Sequence, residues 1–132
     1  MDKITTPLLA VVITLLLFSC NEVDTVPASS QENDQKALLE LLTEIKSTAN
    51  STPCTDATTW KYTAYGNKAC GGPQGYLAYP TNIDTTSFLA KVARYTQKER
   101  AFNEKWGIVS DCSMTQKPVG IRCNNGSAEL IY

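Results

Sequence analysis

Apolar residues recur at helical spacing in two long segments of the chain. The first segment covers residues 31–49 and carries acids and lysines between its regularly spaced apolar positions, which are Leu38, Leu39, Leu41, Leu42 and Ile45. Ser29 followed by Glu32 resembles a capping box, and Ser51-Thr52-Pro53 is typical of a helix end. We predict an amphipathic helix whose leucine face packs into the core.

The second periodic segment begins at Asp84, runs to Trp106 and ends at Gly107, a residue type favoured just past a helix. Glu99 occupies one position in a stripe that is otherwise apolar and aromatic: Phe88, Val92, Tyr95, Phe102 and Trp106. A carboxylate in such a stripe can be an acid of raised pKa, but a cation or a backbone donor is its commoner partner. We therefore expect a long core helix with Glu99 at its rim or paired.

Four short segments have the alternation and composition of β-strands. Residues 59–65 and 75–79 are rich in aromatic and β-branched side chains, and residues 119–123 and 128–132 flank Asn125-Gly126, a strong hairpin signal. Between the first two strands lies a loop with Gly66, Gly71, Gly72 and Pro73. It lacks the spacing of a phosphate-binding loop, so we interpret it as a rigid turn. The predicted fold is an α+β domain over residues 32–132, with two helices packed on a short antiparallel sheet and a C-terminal hairpin.

Composition narrows the chemistry. The chain has 132 residues, a formal charge of -1 and no histidine. A near-neutral charge argues against nucleic acid as a partner. The lack of histidine removes the commonest general base and the commonest zinc ligand. We predict no catalytic residue, no metal site and no cofactor.

The first twenty residues have the character of a secretory signal. The apolar run over residues 7–18 is shorter than the approximately 20 residues that a transmembrane helix needs. It ends in Leu17-Phe18-Ser19-Cys20, which resembles the lipobox of bacterial lipoproteins. The resemblance implies that residues 1–19 are removed, that Cys20 carries acyl chains, and that the partner of this end is a lipid bilayer. The alternatives are an ordinary cleaved signal and a short buried helix.

Residues 20–31 are polar and lack periodicity, so we predict a disordered tether between Cys20 and the domain. Inner and outer membrane are not distinguished by these residues.

The other four cysteines, Cys54, Cys70, Cys112 and Cys123, suit two disulfides in a small exported domain. Three pairings are possible. We favour the local one, Cys54–Cys70 and Cys112–Cys123, because each bridge would enclose a single predicted turn or strand segment. A metal or redox site fits less well, since the sequence has no Cys-x-x-Cys spacing.

The Cys70-Gly71-Gly72-Pro73 motif, with the tyrosines that follow it and the Ser110-Asp111-Cys112 segment, resembles a group of small exported bacterial proteins. The resemblance covers about residues 54–123. It implies an exported, cysteine-linked domain and carries over no activity.

Three functions remain open. The first is a non-enzymatic binding module that contacts an envelope or extracellular protein, with a hydrolase inhibitor as one variety; its candidate binding residues are Gly71, Gly72, Pro73, Trp60 and Trp106. The second is a glycan-active enzyme that would pair Glu99 with Asp111 or Asp56 and stack a sugar on a tryptophan. The third is a structural envelope protein without a specific ligand.

Overall fold

Two helices and two β-hairpins form the domain in residues 29–132, the part of the chain that the computed structural model describes. The elements in chain order are α1 (Gln31–Ala49), a 3-10 turn (Ala57–Thr59), β1 (Trp60–Tyr65), β2 (Gly75–Pro80), α2 (Thr85–Trp106), β3 (Gly120–Asn124) and β4 (Ser127–Ile131). The strands form two antiparallel two-stranded sheets, β1–β2 and β3–β4. The predicted α+β class, with two helices, short antiparallel pairing and a C-terminal hairpin, is confirmed. The predicted signal and Cys20 lie outside the described residues. So does the predicted tether up to residue 28, while Gln31, predicted to be its last residue, is already helical.

The second helix, α2, begins and ends as its sequence indicates. The Asp84 carboxylate accepts a hydrogen bond from the Ser87 N–H at 3.0 Å, and Gly107 ends α2 in the left-handed conformation at φ 59°. The capping box predicted at Ser29 is wrong by one residue. The hydroxyl of Ser30 caps α1 by accepting from the Asn33 N–H at 3.2 Å, whereas Ser29 donates to Asp34.

The core lies between the helices and one face of the β1–β2 sheet. Its buried residues come from all three elements: Ile45, Ala49, Tyr79, Phe88, Val92 and Tyr95. The rings of Tyr79 and Phe88 stack with centroids 5.0 Å apart. Leu39 does not take part, because its side chain is 63% exposed; the leucine face of α1 is narrower than its sequence suggests.

The C-terminal hairpin lies against the β1–β2 hairpin, with β3 beside β1 and β4 beside β2. Asn125 and Gly126 both have positive φ, 48° and 81°, as a tight two-residue turn with this sequence requires. The Tyr62 hydroxyl donates to the Pro118 carbonyl at 2.9 Å and so fastens β1 to the chain that leads into β3. The Cys54 N–H donates to the Gly126 carbonyl at 2.8 Å and joins the end of the hairpin to the segment after α1.

The disulfides are Cys54–Cys123 and Cys70–Cys112, so the favoured local pairing is wrong. The reason is the length of the β1–β2 ladder, which pairs Trp60 with Pro80 at one end and Tyr65 with Gly75 at the other. Cys54 precedes the first end and Cys70 lies in the loop at the second. Six extended residues separate the two ends by about 17 Å, well beyond the reach of a disulfide.

In the described part of the chain, no helix combines the length and the apolar character needed to cross a membrane.

Two ion pairs connect α1 to α2, one toward each end of the helix pair. Lys91 of α2 pairs with Glu44 of α1, and Lys105 of α2 pairs with Asp34 of α1 at 2.7 Å. The Asp34 carboxylate also accepts from the Trp106 indole N–H at 3.1 Å. These bonds, that from Lys105 foremost, hold the pKa of Asp34 below its ordinary 3.8.

Replacing Phe88 with Ala should lower the free energy of unfolding by about 3–5 kcal/mol, because it empties a site in the core. Leu39→Ala is the matched control in α1 and should change it by less than about 0.5 kcal/mol, since that side chain is mostly in water. Urea denaturation followed by circular dichroism measures both. Equal losses for the two variants would contradict the placement of the core.

Acid should loosen the contact between the helices. Since folding lowers the pKa of Asp34, its contribution to stability is present above its ordinary pKa of 3.8 and is lost as the pH falls through the lowered folded value. The Trp106 indole N–H resonance, followed by NMR, should shift in that range. In Asp34→Asn the pH-dependent shift of this resonance should be absent. An unchanged shift in that variant would mean that another group causes it.

Candidate functional site

The loop over residues 66–74, here called the glycine loop, is fixed to α2 through its backbone. The Gly66 N–H donates to Thr96 Oγ1 at 3.0 Å, and the Asn67 N–H donates to Glu99 Oε2 at 2.5 Å. The Asn103 side-chain amide donates to the Asn67 carbonyl at 2.7 Å. The three side chains that make these bonds lie on a single face of α2, because they are spaced three and four residues apart. This face therefore binds the N–H groups of Gly66 and Asn67 and the carbonyl of Asn67.

Gly66 is required where the loop meets the helix. Its φ of +76° is in the left-handed region, and a Cβ there would lie 2.6 Å from Glu99 Oε2 and 2.7 Å from the Gln74 Cβ. Any side chain would push the loop away from the carboxylate that binds it.

Glu99 is therefore a positioning residue for the loop. Its Oε2 accepts from Asn67, and its Oε1 accepts from the Tyr95 hydroxyl at 2.9 Å. Burial raises the pKa of Tyr95, and the charge of Glu99 raises it further, so the phenol stays a donor over the whole physiological range. The sequence predicts Glu99 at the rim or paired with a cation or a backbone donor; the structure pairs it with a backbone N–H and with a phenol.

The tip of the glycine loop projects into solvent. Gly71 and Gly72 have φ of +94° and +80°, and no atom lies within 4 Å of a Cβ placed on either. Two backbone bonds close the tip on itself: the Lys68 N–H donates to the Gly72 carbonyl at 2.9 Å, and the Gly71 N–H donates to the Lys68 carbonyl at 2.8 Å. The tip is thus both exposed and conformationally restricted.

The irregular segment over residues 107–119, here called the cover segment, crosses the glycine loop and is tied to it. The Cys70–Cys112 disulfide joins the two with a Cα–Cα distance of 5.6 Å. The Thr115 hydroxyl donates to the Pro73 carbonyl at 2.8 Å. The Lys68 side chain is 11% exposed, and its ammonium donates to the Ser113 carbonyl at 2.9 Å and pairs with Asp111 at 3.3 Å.

Asp111 is the exposed partner in that arrangement. Its pKa is lowered first by the Ser113 hydroxyl, which donates to it at 2.6 Å, and then by Lys68. The carboxylate is therefore ionised at neutral pH and engaged inside the cover segment.

A cavity of about 420 Å³ lies between the loop tip and the cover segment. Its walls are contributed by residues 70–73 and 112–115 together with Lys68. Met114, one of these lining residues, is 95% exposed, and Val109 in the same segment is 90% exposed. The cover segment thus presents two apolar side chains to solvent.

The two tryptophans do not form a common binding site with Gly71, Gly72 and Pro73. Trp60 is only 7% exposed and lies at the end of the β1–β2 ladder far from the glycine loop. Trp106 is engaged between the helices, with its indole N–H on Asp34 and the Lys105 ammonium 4.7 Å from its ring centre. Burial closes Trp60 to a sugar, and the N–H of Trp106 is already bonded.

The carboxylates considered for acid–base chemistry are likewise engaged. Asp56 caps the 3-10 turn by accepting from the Thr58 N–H at 2.9 Å and from the Thr58 hydroxyl at 2.8 Å, which lowers its pKa. Glu99 binds the loop and Asp111 binds Lys68. Within residues 29–132, no cluster of three or more histidine, cysteine or acidic side chains is arranged to hold a metal ion.

Comparison with protein-family models, with curated proteins and with solved structures yields no match to this chain.

Sequence reasoning located the glycine loop and singled out Glu99, but not the other residues that hold the loop. Asn67 and Lys68 carried a usable signal, because with Gln74 they are the polar residues of a loop otherwise made of small residues. Thr96 and Asn103 had none beyond their spacing from Glu99. Met114 could not be recognised without the pairing of Cys70 with Cys112.

Replacing Glu99 with Ala should free the glycine loop while α2 stays folded. Losing a charged acceptor should lower the free energy of unfolding by about 1.5–3 kcal/mol, and the Asn67 amide should exchange with solvent at least tenfold faster. Glu104→Ala, an exposed position on the same helix, is the control. Hydrogen exchange followed by NMR measures the Asn67 amide; an unchanged rate in Glu99→Ala would contradict the positioning role.

Proposed function

We propose that this protein is a lipid-anchored protein of the cell envelope, without enzymatic activity, that binds another protein through the glycine loop tip and the cover segment. The observation that carries the proposal is that this surface is exposed and fixed at the same time. Gly71 and Gly72 face solvent, while hydrogen bonds to α2 and a disulfide to the cover segment hold the backbone beneath them.

Rigidity favours binding because a surface that is already ordered loses little conformational entropy on association. Met114 and Val109 supply apolar contacts, and a flexible methionine adapts to a partner's surface. The exposed backbone of the tip offers donors and acceptors without side chains in the way. The small size of the domain is compatible with binding another protein, since a specific interface needs only about 800 Å² from each partner.

A folded protein fits this surface better than a small substrate does. The groups that a reaction would need are engaged in holding the structure, as Glu99, Asp56 and Asp111 show. A hydrolase is the partner class we put first, because a restrained, projecting loop can enter an active-site cleft without being reshaped into a substrate. Nucleic acid fits poorly, since the formal charge of the chain is -1.

The anchor proposal rests on Leu17-Phe18-Ser19-Cys20. If acylated at Cys20, the mature chain would have eleven residues, 20–30, before α1 begins. Fully extended they reach at most about 36–40 Å, enough to hold the domain clear of the lipid headgroups. Metabolic labelling with an alkyne fatty acid tests it: label is expected on the native chain and none on Cys20→Ser, whereas equal labelling of both would contradict acylation at Cys20.

Site-specific photo-crosslinking in an envelope extract tests the binding surface. A photoreactive group at Met114 should capture one protein, and the same group at Leu39 should not, although that side chain is also exposed. Met114→Ala should then weaken binding of the captured protein about tenfold, corresponding to about 1.4 kcal/mol. No specific capture from Met114, or equal capture from both positions, would contradict the proposal and leave a structural envelope protein as the better account.

A further inference from the structure

The two disulfides differ in their access to solvent. Cys54 is 2% exposed, and its N–H is bonded to the Gly126 carbonyl inside the domain. Cys70 and Cys112 are both exposed and line the cavity between the glycine loop and the cover segment. Cys123 is partly exposed, so the Cys54–Cys123 bridge has one partly exposed cysteine, whereas both cysteines of the Cys70–Cys112 bridge are exposed. Because exchange requires a thiolate to reach a disulfide sulfur, the Cys70–Cys112 bridge is the more accessible target.

We propose that the Cys70–Cys112 disulfide is a thiol–disulfide exchange site, opened by a protein dithiol that attacks Cys112, and that its opening releases the cover segment. Release of the cover segment would regulate the binding surface, and this consequence rests on the proposed function. The exchange reaction itself does not depend on that function. Cys54–Cys123 stays closed and keeps the domain folded.

The surroundings of the sulfurs select which one is attacked. The Ser110 hydroxyl lies 3.6 Å from Cys70 Sγ, within reach to donate a hydrogen bond to it, and the same oxygen accepts from the Cys70 N–H at 3.3 Å. A donor to sulfur stabilises a thiolate. The Ser110 carbonyl oxygen opposes a thiolate at both sulfurs, at 3.3 Å from Cys70 Sγ and 4.0 Å from Cys112 Sγ, so the hydroxyl donor, which is present only at Cys70, decides between them. We therefore assign the attack to Cys112, with Cys70 as the leaving group.

The reaction balances with the dithiol as its reductant. One thiolate of the dithiol forms a bond to Cys112 Sγ as the Cys70–Cys112 bond breaks, and the electron pair leaves on Cys70. The second thiolate of the dithiol then attacks the dithiol's first sulfur, which is bonded to Cys112 in the mixed disulfide, and expels Cys112. Two electrons and two protons pass to the protein, giving two cysteine thiols and one oxidised dithiol.

Once the bridge is open, the middle of the cover segment keeps only its bonds to the glycine loop, which are those of Lys68, Ser110 and Thr115. Its two ends stay bonded to α2 and to β1. Val109 and Met114 add almost no packing, since they are 90% and 95% exposed. The glycine loop itself stays attached to α2 through Glu99 and Asn103, so the two halves of the surface separate.

Reduced glutathione at limiting concentration is the probe for the exchange step, applied to the full mature protein in detergent. After quenching with iodoacetamide, peptide mapping should show Cys70 and Cys112 modified at least tenfold faster than Cys54 and Cys123. The glutathione adduct should sit on Cys112, and Ser110→Ala should remove most of that preference. Equal reactivity of the two disulfides, or an adduct chiefly on Cys70, would overturn the assignment.

Hydrogen exchange measures the structural consequence. The Cys70 N–H, which donates to Ser110 Oγ of the cover segment, should exchange at least tenfold faster after cleavage by a dithiol, while α2 stays unchanged. The double variant Cys70→Ser/Cys112→Ser should show the same increase at residue 70 without reductant. Protection of this amide that survives cleavage would overturn the release step. Because neither readout needs a partner, failure of the crosslinking experiment would count against the proposed function alone.

Discussion

The Cys70–Cys112 disulfide ties together two segments that are 42 residues apart, and Cys54–Cys123 does the same across 69 residues. In the chain-entropy treatment, closing loops of these lengths stabilises a fold by about 4 kcal/mol each, against about 3 kcal/mol for the short loops of a local pairing. For a domain whose net stability is of the order of 5–15 kcal/mol, these bridges are a large share. They matter most where hydrophobic packing is thin, in the cover segment and at the C-terminal hairpin.

The glycine loop depends on the bridge from one side and on α2 from the other. A carboxylate inside an aromatic stripe is costly unless it is bonded, and Glu99 meets that requirement by binding the backbone of Asn67 and the hydroxyl of Tyr95. The helix core and the exposed loop are thereby connected through one side chain. This connection is why an element without regular hydrogen bonding can still present a defined surface, which is the basis of the binding proposal.

Patterns that act locally predicted the fold well. The bounds of α2 follow from Asp84 and Gly107, and the tight turn follows from Asn125-Gly126, because caps and turns are decided by a few neighbouring residues. The cysteine pairing was not predictable in the same way, since it depends on the β1–β2 ladder carrying Cys54 and Cys70 to opposite ends. The burial of Trp60 and the exposure of Met114 depend on the same long-range geometry. So does the role of Glu99, which accepts a hydrogen bond from the backbone rather than acting as an acid.

Peptide mapping of the unreduced protein after digestion with trypsin distinguishes the possible cysteine pairings, because cleavage places each of the four cysteines in a separate peptide, 47–61, 69–91, 106–122 and 123–132. We expect 47–61 to be linked to 123–132 and 69–91 to be linked to 106–122. Linkage of 47–61 to 69–91, with 106–122 joined to 123–132, would contradict this pairing and would remove the tie between the glycine loop and the cover segment.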